Sequence, residues 1–468
     1  MKRKVLMIVL GIVFTVSSAF AITNTGAVWL LIAPGARAEA MGEAHVAIAN
    51  DAYASYYNPA GLAYMAKNEI GAMYSKWLPN LVNDMYYTFL AGGYHVPNVG
   101  TFGGHAIYLN LGEQQWTDEY GNSLGTFTSY MTAISASYAT KITKNSSIGV
   151  NLKFAYQMLS QVGGGDEHGD GDSFHLGFDL GYQVRNLLND RLDLGFAISN
   201  VGPKIAFIDK AQADPQPTNL KMGFNINILK QEHNDLSFVL DLNRILASSH
   251  PSMDANDNYI IEMGKPLDTD FGEESYTDNW FTGIFTSFTD DWHYAGDIDY
   301  SGDGIIGGYN AEGEKQGWYN IYGEEIVAVS SADGSTAGYW YNADAEAPVT
   351  APGEYNEGGG SANFAGWGEY GSNAGQFQDD IKEVGSESTG KFSNELREII
   401  LNTGIEYVYN KMFALRAGFI YDQEGDVMSP TIGFGFIYKG LGFDFAYTGG
   451  AEGHPLANTM RYSLRYEF

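Results

Sequence analysis

The chain has 468 residues, a formal net charge of −30 from 26 Lys and Arg against 56 Asp and Glu, and no cysteine. So acidic a balance excludes a nucleic-acid partner, because binding phosphates requires Lys and Arg to displace counterions. The missing thiols exclude a disulfide scaffold, thiolate metal sites, cysteine nucleophiles and a lipid-modified N-terminal cysteine.

In chain order, Lys2, Arg3 and Lys4 precede an apolar core from Val5 to Val16 and a small-x-small site at Ala19-Phe20-Ala21. This is the pattern of a signal peptide over residues 1–21, so the mature chain is expected to begin at Ile22. No later apolar run approaches the roughly 20 residues that a transmembrane helix needs. Residues 22–68 follow, small and apolar without strand alternation. A segment this short cannot bury a core of its own.

From residue 69 the period becomes two. Ile148, Val150, Leu152, Phe154, Tyr156 and Met158 alternate with Gly149, Asn151, Lys153, Ala155 and Gln157. Membrane strands alternate in this way, apolar toward lipid and polar or small toward the lumen, so Lys153 must face inward. The same template marks 69–77, 85–96, 101–111, 127–142, 146–159, 173–184, 191–201, 220–229 and 236–244. After a long interruption it marks 398–409, 413–422, 430–438, 442–448 and 459–468. The expected fold is therefore all-β, a transmembrane antiparallel barrel of about fourteen strands. Strands one to nine fill 69–245, and strands ten to fourteen fill 396–468.

The links check this independently. Those after the even-numbered strands are short, as periplasmic turns are, and the others are as long or longer, as external loops are. That parity predicts both chain ends in the periplasm. A soluble antiparallel protein with one buried face would also alternate, but it would not sort its links by side. Trp77, Tyr86, Tyr138, Tyr409, Tyr438 and Tyr447 are expected in the interfacial girdles.

Residues 246–395 hold about 28 acidic and 4 basic side chains, most of the net charge, in a connection far longer than normal. Parity puts this insertion outside the cell. Its aromatic clusters argue against simple disorder. Asp297, Asp299, Ser301 and Asp303, with Gly302 between the last two, begin like an EF-hand calcium loop, although Gly308 stands where a bidentate Glu belongs. Calcium is the one cofactor that the sequence suggests. Its acids could also bridge through divalent ions to lipopolysaccharide.

Residues 35–63, GARAEAMGEAHVAIANDAYASYYNPAGLA, are the part that resembles a known family. They are similar to the outer-membrane channel superfamily typified by the long-chain fatty acid transporter, and more closely to its PorV/PorQ-like branch. Asn58-Pro59-Ala60 is the most specific part of the match. The resemblance implies that residues 22–68 form a hatch of short helices inside the barrel. Read from the residues alone, the triplet is a helix stop, since Pro donates no backbone hydrogen bond and the residue before it avoids the α region. In the fatty acid transporters a kink in the third strand makes a lateral opening. Gly103-Gly104 stands in the third strand here and could bend it. The terminal strand, ending in Phe468, resembles the signal that barrel-assembly machinery reads.

Two functions stay open. The expected one is a hatch-gated channel for uptake or passage of hydrophobic or amphipathic small molecules; the alternative is a PorV-like accessory of type IX secretion that binds the C-terminal signals of exported proteins. An enzyme is not expected, since the chain has neither a G-x-S-x-G elbow nor a paired-histidine metal motif.

Overall fold

Backbone groups in lipid have no water to bond, so strands can cross a membrane only in a sheet without edges. The computed structural model describes residues 25–117, 123–160, 171–206, 213–247, 249–251, 275–277, 279–288, 326–330, 338–342, 392–423, 425, 427–450 and 457–468. Fourteen antiparallel strands close into one barrel. They are Glu69–Lys76 (β1), Tyr86–Val96 (β2), Gly100–Thr117 (β3), Ser123–Lys141 (β4), Ser146–Ser160 (β5), Gly171–Asn186 (β6) and Leu192–Val201 (β7). Then come Asn219–Lys230 (β8), Asn234–Ile245 (β9), Ile400–Tyr409 (β10), Phe413–Asp422 (β11), Val427–Tyr438 (β12), Leu441–Thr448 (β13) and Thr459–Glu467 (β14). Each pairs with its neighbours in sequence. β9 meets β10 from Asn243↔Ile400 to Asn234↔Tyr409, and β1 meets β14 from Glu69↔Glu467 to Ser75↔Arg461, which completes the ring.

Alternation fixes the faces. In β5 Ile148, Val150, Leu152 and Phe154 are exposed, whereas Asn151, Lys153 and Gln157 are buried in the lumen. Lys153 is satisfied there by Asp179 at 3.2 Å and by donating to Asn200 Oδ1 at 2.6 Å. On the outer face Tyr74, Tyr86, Tyr108, Tyr130 and Tyr156 form a row across β1 to β5, with neighbouring ring centroids 5.8–6.1 Å apart. Amphipathic rings belong at this level, body in lipid and hydroxyl in the headgroups. Trp77 does not join the row. It keeps the inward parity of β1 and packs on the buried Tyr87 ring, centroids 6.2 Å apart.

Residues 25–68 run through the lumen with a 3-10 turn at Val28–Leu31, short helices at Ala36–Glu39 (α1) and Ala54–Tyr57 (α2), and a second 3-10 turn at Pro59–Tyr64. They enter from the side opposite to that expected. Phe468 N–H donates to Asn68 O at the short-turn rim, but Gly26 N–H donates to Pro215 O in the link after β7, at the long-loop rim. Strand parity therefore places the start of β1 and the C-terminus together, while the segment before β1 climbs the lumen to the far rim.

Between β9 and β10 the described residues include two small hairpins, Ser249–Pro251 with Ser275–Thr277 and Ile326–Ser330 with Gly338–Asn342, and helices Trp280–Thr286 (α3) and Phe392–Arg397 (α4). Arg244, at the top of β9, donates to Ser287 O after α3 and to Glu395 O in α4, and pairs with the Glu395 and Glu398 carboxylates. One guanidinium thus holds the insertion where it leaves and where it returns.

Ile134 lies midway along β4 between the outward Tyr130 and Tyr138, and is 63% exposed. Ile134→Arg should destabilise the barrel in vesicles by about 2–4 kcal/mol, read by denaturant unfolding, because the cation would sit near the bilayer midplane. Ile134→Leu should leave the midpoint unchanged.

Candidate functional site

The hatch, residues 25–68, comes closest to the wall at inward glycines. A Cβ on Gly149 would come 2.3 Å from Ala60 N, one on Gly181 2.2 Å from Asn58 Oδ1, and one on Gly195 2.3 Å from Val46 O. Across the lumen Gly404 and Gly418 would collide with Met41, and Gly433 with Ala40. Real Cβ atoms do not approach so closely. Glycine at these positions is what lets the hatch seat.

Asn58-Pro59-Ala60 is both a helix stop and a dock. Asn58 ends α2 with extended backbone, and Pro59 opens the next 3-10 turn, where its missing N–H costs nothing. The Asn58 side chain is fully buried. Its Oδ1 accepts from Ala60 N–H, and its Nδ2 donates to Val46 O at 3.1 Å and to Tyr182 O on β6 at 3.2 Å. Ser147 Oγ on β5 donates to Ala60 O at 2.9 Å. Asn can do this because its amide offers donor and acceptor at once.

On the opposite wall the contacts are ionic. Arg37 of α1 grips Glu406 of β10 through Nε at 3.1 Å and Nη2 at 3.2 Å, and reaches Asp51 at 3.2 Å. Glu406 is shared with Arg416 of β11 at 2.8 Å; Arg416 holds Asp444 of β13 at 2.7 Å; Asp444 faces Arg465 of β14 at 3.6 Å. A cavity of about 240 Å³ at the short-turn rim opens onto this ladder. Nearer the middle, Glu39 pairs with Arg461 and accepts from Thr448 Oγ1, while Glu43 stands 3.6 Å from Arg461. Asp241 Oδ2 of β9 accepts the N–H groups of His45 at 2.7 Å and Val46 at 2.9 Å.

The hatch groups titrate accordingly. Burial alone would raise the Asp51 carboxyl, but the adjacent His45 imidazole and the Arg37 guanidinium outweigh it and hold it well below the usual range. Burial lowers His45 despite Asp51 at 3.7 Å. Burial, then repulsion from Glu39, pushes Glu43 up to about 7.

Gly103 lies under the hatch, where a Cβ would meet Leu62 at 2.9 Å. At Gly104 the ladder to β4 is interrupted between Gly103↔Ser137 and Ala106↔Ile134, and His105 N–H donates to Ser135 Oγ at 2.9 Å in place of a carbonyl. The register is the same on either side of this gap, and of the two glycines Gly103 is the one that meets the hatch. Asp297, Asp299, Ser301 and Asp303 lie outside the described residues, and among the described residues no acidic or histidine cluster could hold a metal. Glu406, Arg416, Asp444, Arg461 and Arg465 have the same inward parity as Lys153, which is the signal in the sequence that points to them.

Arg37→Ala leaves Glu406 to Arg416 alone and removes the guanidinium that Asp51 pairs with. Removing one partner of a buried ion pair costs on the order of 3 kcal/mol, so protease cleavage within residues 25–68 should appear while the barrel stays folded. Glu43 contributes stability that is complete below its unfolded pKa of about 4.5 and is lost as pH rises through about 7. Between pH 5 and pH 8 the melting temperature of Glu43→Gln should therefore rise relative to wild type.

The profile of the family described as "Type IX secretion system protein PorV" matches residues 16–252, just over half of the chain. Similar solved structures include the Ralstonia pickettii toluene transporter TbuX, with 13% identity and TM-score 0.43 over 93% of this chain and 98% of that one. The Pseudomonas putida toluene transporter TodX has 12% identity and TM-score 0.43 over 96% and 98%. A Pseudomonas aeruginosa FadL homologue has 10% identity and TM-score 0.36 over 97% and 100%. No curated protein matches.

Proposed function

The chain belongs to the PorV family of type IX secretion system proteins, and we propose that this outer-membrane β-barrel acts in type IX secretion as a shut barrel that binds exported proteins through their C-terminal signals. The observation that carries this reading is the seating of the hatch. Its backbone lies against inward glycines on both sides of the lumen, and Arg37 and Glu39 are paired with Glu406 and Arg461 of the wall. Such a lumen serves a protein whose work is recognition at its surface. On this reading the long-loop rim faces outward, where exported cargo arrives, and the protein has no catalytic role.

A second reading is favoured by the ion ladder. Contacts between hatch and β10 to β14 are largely polar, and polar contacts can be exchanged for water at modest net cost. A hatch held this way could shift to pass hydrophobic or amphipathic small molecules, with Gly103-Gly104 as a lateral exit.

Affinity capture with the native chain from solubilised envelopes should recover exported proteins that share a C-terminal signal domain. Recovery of none, together with uptake of an apolar fluorescent probe into vesicles that increases in Arg37→Ala, would replace secretion by passage. Capture of cargo with no probe uptake by either form would leave secretion alone.

A further inference from the structure

The nine-residue run from Trp280 to Phe288, WFTGIFTSF, carries no charge, although it lies in the most acidic third of the chain. Its helix α3 is seven residues long and is capped by Asn279, whose side chain accepts from Phe281 and Thr282 N–H at 3.0 and 3.1 Å. Its burial is inverted. Gly283 and Ser287, one turn apart, are the buried residues, while Phe281, Phe285 and Phe288 follow at i, i+4 and i+7 on the exposed side, at 60%, 64% and 39%. A helix that lies on a protein in water turns the other way.

The location supplies the reason. Beyond Val201, which pairs with Phe178, β7 ends, so β6 rises above it without a β7 partner from Gly171 to Gly177. The link after β7 covers part of this step, with Gln216 Nε2 donating to Leu176 O at 2.6 Å. On the outer side of the step, the Trp280 ring stands edge-on to Phe178, a side chain of the lipid-facing wall, at a centroid distance of 6.1 Å. Arg244 fixes the other end of α3 by donating to Ser287 O and stacking over the Phe288 ring at 4.9 Å.

We propose that α3 is a membrane-facing element: it lies against the outside of the barrel at the β6–β7 step and places Phe281, Phe285 and Phe288 among the lipid acyl chains of the leaflet at the long-loop rim. The occupant is lipid because the aromatic patch continues the lipid-facing wall through Phe178, and the one charge beside it, Arg244 over Phe288, is already paired with Glu395 and Glu398. Aromatic side chains on one face of a short helix partition into the interface in this way. The insertion is thereby tied to the bilayer as well as to Arg244.

The chain has no cysteine, so single cysteines can be placed without background. Phe281→Cys, Phe285→Cys and Phe288→Cys, labelled with a small fluorophore and reconstituted in phosphatidylcholine vesicles, should be quenched by lipids carrying a nitroxide near the headgroup. The quenching should be comparable to that at Ile134→Cys on the wall and several-fold greater than at Lys144→Cys in the turn after β4. Iodide should quench Lys144→Cys alone. In parallel, brominated lipids should quench the tryptophan emission of the otherwise native protein more than that of Trp280→Phe, which tests α3 without a label. Labels that iodide quenches as at Lys144, or that are shielded from both quenchers as inside a protein contact, overturn the proposal. So does lipid quenching that Trp280→Phe leaves unchanged.

Discussion

Close approach of the hatch backbone to the barrel wall is the constraint on which the rest of this molecule depends. A ring of fourteen strands encloses more space than its own inward side chains can fill. Here the surplus is taken up by a short segment that has no core of its own, and the two solve each other's problem. Inward glycines on β5, β6, β7, β10, β11 and β12 remove the side chains that would hold the hatch away, so peptide groups of hatch and wall come into van der Waals contact. The result is packing of interior density between elements that share no sheet. Tyr53, Tyr56, Phe89 and His105 then close the gaps as a cluster of rings, with Tyr53 stacked on Phe89 at 5.3 Å and Tyr56 edge-on to His105 at 5.9 Å.

That packing determines where charge can sit. A guanidinium or carboxylate shut away from water is tolerable only when paired. Arg416, Glu406, Asp444 and Arg461 are buried on strands, and Arg37 and Glu39 on the hatch complete the pairing of Glu406 and Arg461. Seating the hatch and neutralising the lumen are therefore one event. The two sides of the lumen differ in consequence. Glycine contacts seat the hatch on both sides, but the β5–β6 side adds the Asn58 amide and the β10–β14 side adds ion pairs, so pH and salt act mainly on the latter.

The barrel was legible because lipid imposes one rule on every strand, and the rule shows as alternation whatever the partner strand is. Most strand boundaries fall within one or two residues of the pattern; β3 and β4 run further, to Thr117 and from Ser123, because polar residues such as Gln114 and Thr126 pair beyond the membrane rim where alternation is no longer required. Trp77, one residue past β1, keeps the strand's inward parity, so residue type alone does not fix which side an aromatic takes at a strand end. The hatch seat was legible only in part. Glycine at an inward position says that something comes close, but not what. The ladder partners are separated by up to 369 residues in Arg37–Glu406, and no local pattern records a pairing of that range.

The insertion follows from the same two rules acting at the rim. A barrel strand must be paired or covered along its whole length in the membrane, and β6 outlasts β7 by several residues. Cover for that step has to present apolar atoms outward and fit closely inward, which requires small residues on the inner side of a helix and large apolar ones on the outer. Gly283 and Ser287 against Phe281 and Phe285 are that arrangement. Holding α3 in place needs a donor at its C-terminal end, where helix carbonyls lack partners. Arg244 is that donor, and its second bond, to the Glu395 carbonyl in α4, places the start of β10 beside β9. The long excursion can therefore vary between these points without altering the register from Asn243↔Ile400 downward.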